Sequence, residues 1–311
     1  MLAVTGAGGF VGRALCTALS EAGLPYRPIG RRPVAGGVGV GDIGPATAWR
    51  DALAGVSCVV HLAARVHHMR EQVADPLAAY RHTNRDGTLW LAREAHACGV
   101  RRLVFVSSVK VNGERTEAGH PFRADHPARP LDPYGVSKWE AEQALWALAR
   151  STDLEVVVVR PPLVYGAAVG ANFRALVSLV QRGIPLPFAT IRNKRSLIAV
   201  ENLADLLMSC AIHRNAPGKT FLCSDGQDLS LPDLLRAIGR ALNRPARLLP
   251  TPPGLLRLAG RIAGQGAAVR RLTESLQVET EATSAVLGWH PPVPLDEAMT
   301  RAAAGWSAST N

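Results

Sequence analysis

A tyrosine and a lysine stand four residues apart in the run D-P-Y-G-V-S-K, residues 132–138. Asp132 is a favourable N-cap and Pro133 a favourable first helical residue, so we expect a helix with Tyr134 and Lys138 on one face. A free phenol has a pKa of about 10 and is a weak base at neutral pH. A nearby ammonium favours the phenolate and lowers that pKa. The pair therefore indicates a group that gives or takes a proton at a substrate oxygen.

Two serines follow a predicted strand upstream of this run. Residues 103–106 are apolar and typical of a strand, and Ser107 and Ser108 come directly after them. A serine hydroxyl at this strand end can hydrogen-bond the same substrate oxygen as the Tyr134 hydroxyl. We therefore expect the third polar group of the site to come from this pair.

Three glycines near the start lie between a predicted strand over residues 2–4 and a predicted helix over 13–22. Gly6 permits a tight turn, Gly9 lets a pyrophosphate approach the backbone, and Gly12 lets the helix pack close to the strand. Their spacing is G-x-x-G-x-x-G, not G-x-G-x-x-G. The free N–H groups and the dipole of the helix start would hold the phosphates of a dinucleotide.

The residues after the second predicted strand, 25–29, bear on the choice of dinucleotide. Folds that prefer NAD usually have an acidic residue there, which binds the ribose 2′-hydroxyl. Here Gly30 occupies that place, and Arg31 and Arg32 follow. No carboxylate would repel a 2′-phosphate, and two guanidinium groups can pair with it. The sequence therefore predicts NADP(H) as the preferred cofactor, with NAD(H) as the alternative.

Composition and charge limit the classes of function. The 311 residues are 47% hydrophobic, enough for one large core or two fused domains. The net charge of +10 comes with dispersed arginines and few aromatic residues, which favours an anionic ligand over nucleic acid. Five scattered cysteines without metal-ligand spacing fit a reducing cytosol, and no apolar stretch is long enough to span a membrane. We expect a cytoplasmic protein without a metal site.

Apolar, β-rich runs alternate with segments of helical period through the first half of the chain. Continuous apolar strands separated by helices indicate a parallel sheet covered on both faces. The predicted fold class is therefore α/β, with a Rossmann-type doubly wound sheet. Beyond the elements already named, we predict strands over residues 57–62 and 155–159 and helices over 77–97 and 133–150.

The regular alternation of predicted strands and helices ends after residue 162, where proline and glycine become more frequent. We predict a dinucleotide-binding domain formed by residues 1–162 and 196–224. A smaller, interrupted lobe, formed by residues 163–195 and 225–311, would bind a nucleotide sugar over the carboxyl ends of the strands.

Three segments of the second half have distinct patterns. Residues 201–214 predict a helix, and residues 220–223 predict a short strand. Residues 252–268 are apolar with interspersed arginines. They fit a packing helix, and the alternative is a helix that rests on a membrane surface.

These motifs occur along nearly the whole chain. As a set they resemble the extended short-chain dehydrogenase/reductase family, in particular its NAD-dependent epimerase/dehydratase members. Besides the three glycines and the Tyr134/Lys138 pair, the resemblance rests on Asp42-Ile43, His61-Leu62-Ala63-Ala64, Asn84 with Gly87-Thr88, Ser107-Ser108, Arg160-Pro161, Val164-Tyr165-Gly166, Asn172-Phe173 and Leu287-Gly288-Trp289.

The resemblance implies a role for each group, a UDP-sugar substrate and a homodimer. The implied catalytic residues are Ser108, Tyr134 and Lys138. Together with the glycine loop and the arginines, the cofactor set is Gly6, Gly9, Phe10, Val11, Gly12, Arg31, Arg32, Asp42, Ile43, Leu62, Ala63, Ala64, Asn84, Tyr134, Lys138 and Pro161. The implied substrate set is Ser108, Lys110, Asn172 and Arg195, the last two at the diphosphate.

Two departures from the family pattern narrow the function. Dehydratases of the family carry an Asp-Glu pair after the catalytic hydroxyl, where this chain has Val109 and Lys110. Its epimerases usually carry an acid after the second strand, where this chain has Gly30 and two arginines. We therefore predict NADP(H)-dependent reduction of a UDP-4-keto-6-deoxy-hexosamine, of the UDP-N-acetylquinovosamine type used for bacterial surface polysaccharide. The alternatives are a UDP-sugar 4-epimerase with tightly bound NAD and a non-catalytic NADP-binding regulator.

Overall fold

A computed structural model describes residues 1–66, 74–117 and 119–307, with the backbone alone at helical residues 171, 172, 257, 260, 267 and 307. The strands within this part of the chain are β1 (Leu2–Thr5), β2 (Tyr26–Gly30), β3 (Val38–Gly39), β4 (Cys58–His61), β5 (Arg102–Val106), β6 (Glu155–Arg160), β7 (Leu163–Tyr165), β8 (Leu197–Ala199) and β9 (Thr220–Leu222). Seven of them form one parallel sheet in the order β3-β2-β1-β4-β5-β6-β9, and β7 pairs with β8 in a separate parallel pair.

The helices connect these strands and cover the sheet. They are α1 (Phe10–Glu21), α2 (Arg50–Leu53), α3 (Pro76–Tyr80), α4 (Gly87–Ala97), α5 (Pro133–Ala149), α6 (Ala171–Gln181), α7 (Val200–Ile212), α8 (Leu231–Ala241), α9 (Pro253–Ile262), α10 (Gly266–Thr273), α11 (Glu281–Leu287) and α12 (Leu295–Ser307). A π-helical turn at Arg81–Asp86 joins α3 to α4, and a 3₁₀ turn at Val109–Val111 follows β5.

The strand order reverses between β1 and β4, which are neighbours in the sheet although β2 and β3 separate them in sequence. The register of this pair aligns Thr5 with His61 at the carboxyl ends of the two strands. A crevice forms outside the strand ends at such a reversal, and sheets of this type bind their ligands there. The glycine loop after β1 and residues 62–66 after β4 both begin at this point.

Apolar side chains cover both faces of the main sheet. Leu15 and Leu19 of α1 and Leu203 of α7 pack on one face, and Leu91 of α4 and Leu145 of α5 pack on the other. All five are fully buried, and each such leucine contributes about 1.5–3 kcal/mol by leaving water. This packing confirms the predicted α/β, doubly wound class.

A third apolar cluster, the lobe cluster, lies outside the main sheet. The rings of Tyr165 and Phe173 stack with centroids 5.7 Å apart, and the Trp306 ring lies 5.5 Å from that of Phe173. Leu235 of α8 and Ala302 of α12 complete the centre of this cluster.

The boundaries that the sequence suggests for the two domains stay a prediction. Within the described residues, no helix combines the length and apolarity needed to cross a membrane.

Three elements differ from those predicted. Helix α1 begins at Phe10 and not at residue 13, because Gly9 is extended (φ −76°, ψ 176°) and the chain becomes helical directly after it. The helix predicted over 77–97 is interrupted by the π-helical turn. The segment 252–268 falls into α9 and the start of α10, because Gly264 adopts a left-handed conformation (φ +66°) after α9.

Candidate active site

The start of α5 lies against the carboxyl end of β5. The Asp132 side chain caps α5 by accepting a hydrogen bond from the backbone N–H of Gly135 at 2.6 Å. One helical turn after Tyr134, Nζ of Lys138 donates to the carbonyl oxygen of Val106, the last residue of β5, at 2.9 Å. This contact brings the tyrosine–lysine face of α5 to the strand end that carries the serines, as the spacing predicts.

Lys138 is enclosed at this position, with only 2% of the residue exposed. Its Nζ lies 4.5 Å from the ring centroid of Phe105 and 6.0 Å from that of Tyr134. Burial lowers the pKa of Lys138 to about 7, although the charge of Glu142 opposes this shift. The side chain is therefore only partly charged at neutral pH.

The phenol of Tyr134 is more weakly acidic than predicted. Burial, reinforced by Asp132 and Tyr80, raises its pKa above the ordinary 10.0. The predicted lowering by Lys138 is wrong for the protein alone, because burial of the phenol outweighs any effect of the ammonium, which donates to the Val106 carbonyl oxygen and lies beside the ring. Tyr134 is thus a proton-carrying acid at neutral pH, the form that can protonate a carbonyl oxygen as it is reduced.

The two serines after β5 have different surroundings. The Ser107 hydroxyl is buried and donates to Oε1 of Glu142 at 2.5 Å. Ser108 is half-buried, and its hydroxyl oxygen accepts a hydrogen bond from the N–H of Lys110 at 3.2 Å, which caps the 3₁₀ turn. Ser108 is therefore the serine of this pair whose hydroxyl proton a substrate oxygen can receive.

A buried ion pair beneath the serines was not apparent from the sequence. Arg160, at the end of β6, pairs with Glu142 at 2.6 Å, and their side chains are 4% and 0% exposed. The same carboxylate accepts from Ser107, and Arg160 also donates to Oδ1 of Asn112 at 3.1 Å. Glu142 lies one turn beyond Lys138, so a second charged residue on that helix face was the available signal. The network holds α5 against the ends of β5 and β6.

Lys110, predicted to contact the substrate, is engaged by acidic neighbours. Its Nζ forms a close ion pair with Asp132 and lies 3.4 Å from Oε1 of Glu114. Because Asp132 caps α5, this pair joins the turn after Ser108 to the helix that carries Tyr134. These contacts indicate that Lys110 helps to position the turn after Ser108 against α5. A contact of Lys110 with the substrate stays a prediction.

Asn84, predicted at the cofactor, lies buried in the π-helical turn. Its Oδ1 accepts from the N–H of Arg65 at 2.8 Å, and its Nδ2 donates to the Arg65 carbonyl oxygen at 3.0 Å and to the Ser137 hydroxyl at 2.9 Å. Ser137 donates in turn to the Tyr134 carbonyl oxygen at 2.8 Å. Ser137 has no distinctive spacing, so sequence reasoning missed it. The two residues tie segment 62–66 to α5.

The glycine loop forms an open cradle at the start of α1. Gly6 is left-handed (φ +69°), and a Cβ there would lie 2.9 Å from the backbone nitrogen of Ala63. A Cβ at Gly12 would lie 2.2 Å from the Gly6 carbonyl oxygen, so both positions require glycine. Gly8 and Gly9 are exposed, and the first turn of α1 contains neither a side-chain cap nor an acid. This helix start fits the pyrophosphate of a dinucleotide.

A buried polar chain supports the same crevice. Thr5 Oγ1 lies 2.7 Å from Nδ1 of His61, and Nε2 of His61 lies 3.0 Å from Oγ1 of Thr88. Thr5 Oγ1 also accepts from the N–H of Ala63 at 3.3 Å. Burial, followed by the charge of Lys138, lowers the pKa of His61 to about 3. The ring stays neutral and links β1, β4 and α4.

The predicted adenosine end of the cofactor site follows β2 and β3. Nε of Arg31 lies 2.8 Å from Oδ1 of Asp42, and the two side chains are 78% and 86% exposed. An exposed pair of this kind is weak, so both side chains remain able to turn toward a ligand. Ile43 packs on Gly87, where a Cβ would lie 2.7 Å from Cγ2 of Ile43. The structure thus brings Arg31 together with Asp42, a pairing that the sequence did not indicate.

The remaining predicted cofactor residues contribute packing or backbone groups. Phe10 packs on the lobe cluster, and Val11 and Leu62 pack on the cluster between the sheet and α1. The Pro161 carbonyl oxygen accepts from the N–H of Val109 at 3.0 Å, next to the serine turn. Arg32, which follows β2, is exposed, and Ala64, which follows β4, is half-buried.

Arg195, predicted at the substrate diphosphate, holds the end of α10. Its Nη1 donates to the carbonyl oxygens of Arg271 at 2.7 Å and Glu274 at 3.2 Å. Burial lowers its pKa, and the carbonyl groups at a helix C-terminus favour a cation. The Arg195 guanidinium thus has a structural role at the end of α10. Its contact with a substrate diphosphate stays a prediction. The side chain of Asn172, in the first turn of α6, lies outside the described residues.

The assembled groups can move a proton at one substrate oxygen. Tyr134 supplies an acid, Ser108 supplies a second hydrogen bond, and Lys138 supplies a nearby cation. A bound nicotinamide dinucleotide would supply the hydride acceptor and donor. Across the described ranges, no three His, Cys, Asp or Glu side chains gather into a group that could hold a metal ion.

Comparisons with known proteins give a family match and a similar protein. The model of the NAD dependent epimerase/dehydratase family matches residues 2–223. A UDP-glucose 4-epimerase of Vibrio cholerae is 44% identical over 273 residues, which cover 88% of this chain and 83% of that protein.

Solved structures share the fold at lower identity. The UDP-glucose 4-epimerase of Thermus thermophilus in complex with NAD has a TM-score of 0.78 and 20% identity, and the match covers 99% of each chain. The UDP-glucuronic acid 4-epimerase of Bacillus cereus in complex with NAD has a TM-score of 0.79 and 18% identity, covering 100% of this chain and 99% of that one. At these identities the likeness shows the fold, and it confirms the Rossmann-type prediction.

Proposed function

The chain belongs to the NAD dependent epimerase/dehydratase family, and from that premise we propose that it is a UDP-sugar 4-epimerase. It is an enzyme of the nucleotide-sugar oxidoreductase and epimerase type that uses a nicotinamide dinucleotide. The relative from Vibrio cholerae favours the epimerase over the 4-ketoreductase that the sequence first suggests. The non-catalytic regulator is the weaker alternative, because Ser108, Tyr134 and Lys138 are all present.

One observation carries the proposal. Tyr134 and Lys138 lie on one face of α5 at the end of β5, where Lys138 bonds to Val106 at 2.9 Å. The residues after Ser108 are a valine and a lysine, so the site has no carboxylate pair there for the removal of water. These groups suit reversible proton transfer at a hydroxyl or carbonyl oxygen.

The proposed reaction balances without an added oxidant or reductant. At C4 of the sugar the C–H bond breaks while the O4–H proton passes to the phenolate oxygen of Tyr134, giving a 4-keto sugar; a bound oxidised nicotinamide would take up the hydride. The same proton and hydride then return, the hydride to the opposite face of C4. Burial keeps Tyr134 protonated in the protein alone, so the step needs the phenolate to form when the ligands bind. The positive charge of a bound oxidised nicotinamide would favour the phenolate, together with the Lys138 ammonium, whose Nζ lies 6.0 Å from the ring centroid of Tyr134.

Incubation of the purified protein with UDP-glucose is the direct assay. UDP-galactose should accumulate to a constant ratio without consumption of added NADPH, and Tyr134→Phe should slow the conversion by about 10²–10⁴-fold. UDP-N-acetylglucosamine, tested in parallel, reports which sugar the site accepts. Unchanged UDP-sugars in all wild-type reactions would overturn the proposal.

A specific observation favours a second candidate. Gly30, Arg31 and Arg32 replace the acid that would bind an NAD ribose, and both arginines are exposed. These features suit an exchangeable NADP(H) and a 4-ketoreductase that acts on a UDP-4-keto-6-deoxy-hexosamine. Such an enzyme would oxidise one NADPH for each 4-keto sugar reduced, whereas the epimerase would leave NADPH unconsumed with UDP-glucose.

A further inference from the structure

Helix α9 exposes a stripe of large apolar side chains. Leu255, Leu258 and Ile262 are 57%, 54% and 80% exposed, and their spacing places them on one side of the helix. Leu256 is buried against the lobe cluster, so it anchors α9 and leaves the stripe bare. Leu249, shortly before α9, is 51% exposed. Single exposed leucines are common, but this concentration within one short segment marks an interaction surface.

The chain around the stripe is basic and lacks acidic residues. Residues 234–273 contain eight arginines and no aspartate, glutamate or lysine, so they account for eight of the ten net positive charges. These arginines are Arg236, Arg240, Arg244, Arg247, Arg257, Arg261, Arg270 and Arg271. Arg236 and Arg240 pair with Asp233 and Asp296.

The fold gathers basic side chains that are separated in sequence. A Cβ at Gly266, the first residue of α10, would lie 3.8 Å from Cγ of Arg261 and 4.0 Å from Nη1 of Arg270. Both arginines are exposed, and Arg261 precedes Ile262 of the stripe. In the part of the chain that the structure describes, no carboxylate forms an ion pair with either of them. Uncompensated positive charge therefore borders the apolar stripe.

We propose that α9 and α10 dock the protein on the surface of an anionic phospholipid bilayer. Leu255, Leu258 and Ile262 would enter the interface, and Arg261 and Arg270 would contact headgroup phosphates. An apolar stripe with flanking arginines is typical of helices that lie in the plane of a membrane interface. Each arginine near an anionic surface strengthens binding about fivefold.

Other occupants fit this surface less well. A second copy of the chain, related by a twofold axis, would place the same arginines against one another, and like charges disfavour that contact. Nucleic acid would satisfy the arginines but would leave the apolar stripe in water. The docking proposal does not depend on which sugar the active site accepts.

Flotation of the full chain with lipid vesicles tests the proposal. The protein should bind vesicles made of equal parts phosphatidylcholine and phosphatidylglycerol, bind phosphatidylcholine vesicles much less, and dissociate as salt rises. Leu258→Gln/Ile262→Gln and Arg261→Gln/Arg270→Gln should each weaken binding at least about tenfold. Ile212→Gln is the matched control, because Ile212 is 64% exposed at the end of α7.

Several outcomes would overturn the docking proposal. They are absence of wild-type binding, equal binding to both vesicle types, or α9 variants that bind like the control. If the wild type does not bind vesicles but self-associates, and Leu258→Gln/Ile262→Gln does not self-associate, the stripe is a contact between copies of the chain. Unfolding midpoints show which variants remain folded, and the arginine variant, changed only at exposed side chains, serves if the apolar variant does not fold.

Discussion

Replacing Lys138 by methionine tests the electrostatic account of the site. Burial lowers the pKa of Lys138 from 10.5 to about 7, so near neutral pH the folded chain binds this proton more weakly than the unfolded chain. At about 1.36 kcal/mol per pKa unit, burying this lysine costs about 4–5 kcal/mol of stability at pH 7. The hydrogen bond to Val106 and the contact with Phe105 offset about 1–3 kcal/mol. We therefore expect Lys138→Met to raise the free energy of unfolding by about 2 kcal/mol at pH 7.

The pH dependence of this difference has a definite sign. The folded pKa lies below the unfolded one, so between about 7 and 10.5 the unfolded lysine holds a proton that the folded lysine has lost. The wild type should therefore gain about 3 kcal/mol, relative to Lys138→Met, as the pH rises from 7 to about 9.5. The variant should be the more stable protein at pH 7 and should lose that advantage at the higher pH.

Urea denaturation of the cofactor-free proteins at the two pH values measures both effects. Lys219→Met is the matched control, because Lys219 is exposed and its replacement should leave the pH dependence unchanged. Lys138→Met should also lose turnover, so that a more stable protein is a poorer enzyme. A stability difference between the wild type and Lys138→Met that does not change with pH would refute the reasoning.

The remaining predictions concern the phenol, the ligands and the assembly. Tyr134→Phe should keep cofactor binding while turnover falls by about 10²–10⁴-fold, as measured by initial rates, and near-normal turnover would remove the phenol from the mechanism. The wild type should bind NADPH at least about tenfold more tightly than NADH in fluorescence titrations, and Arg31→Ala/Arg32→Ala should lose that preference; equal wild-type affinities would contradict it. A UDP-sugar should raise the melting temperature and the matching free sugar should not, because the diphosphate offers charge-assisted contacts; equal shifts would exclude diphosphate anchoring. Light scattering at micromolar concentration should report a homodimer, and a monomer would refute that expectation.

Local sequence signals were sufficient for the parts of the site that short segments build. The cap at Asp132 and the four-residue spacing of Tyr134 and Lys138 are properties of one helix, so they predict the shared face. The left-handed turn at Gly6 (φ +69°) follows from a strand–turn–helix pattern, which needs glycine at its tight turn. The alternation of apolar strands and helices was likewise sufficient for the α/β class.

The parts that escaped prediction depend on contacts between distant segments. Arg31 pairs with Asp42, Lys110 pairs with Asp132, and Arg195 donates to the end of α10. No local sequence pattern predicts these pairings. The pKa of Tyr134 depends on how deeply the folded chain buries the phenol, which helix periodicity does not give. In the same way, arginines that look dispersed in sequence become neighbours only when α9 and α10 fold together.

The central claim is that a hydride leaves C4 of a UDP-sugar and returns to the same carbon while Tyr134 holds the proton. UDP-glucose that carries deuterium at C4 tests this claim, with the product analysed by mass spectrometry and NMR. The account predicts UDP-galactose that retains the deuterium at C4, and unlabelled substrate in heavy water should gain none there. Loss of the C4 deuterium to solvent, or solvent deuterium at C4 of the product, would contradict the account.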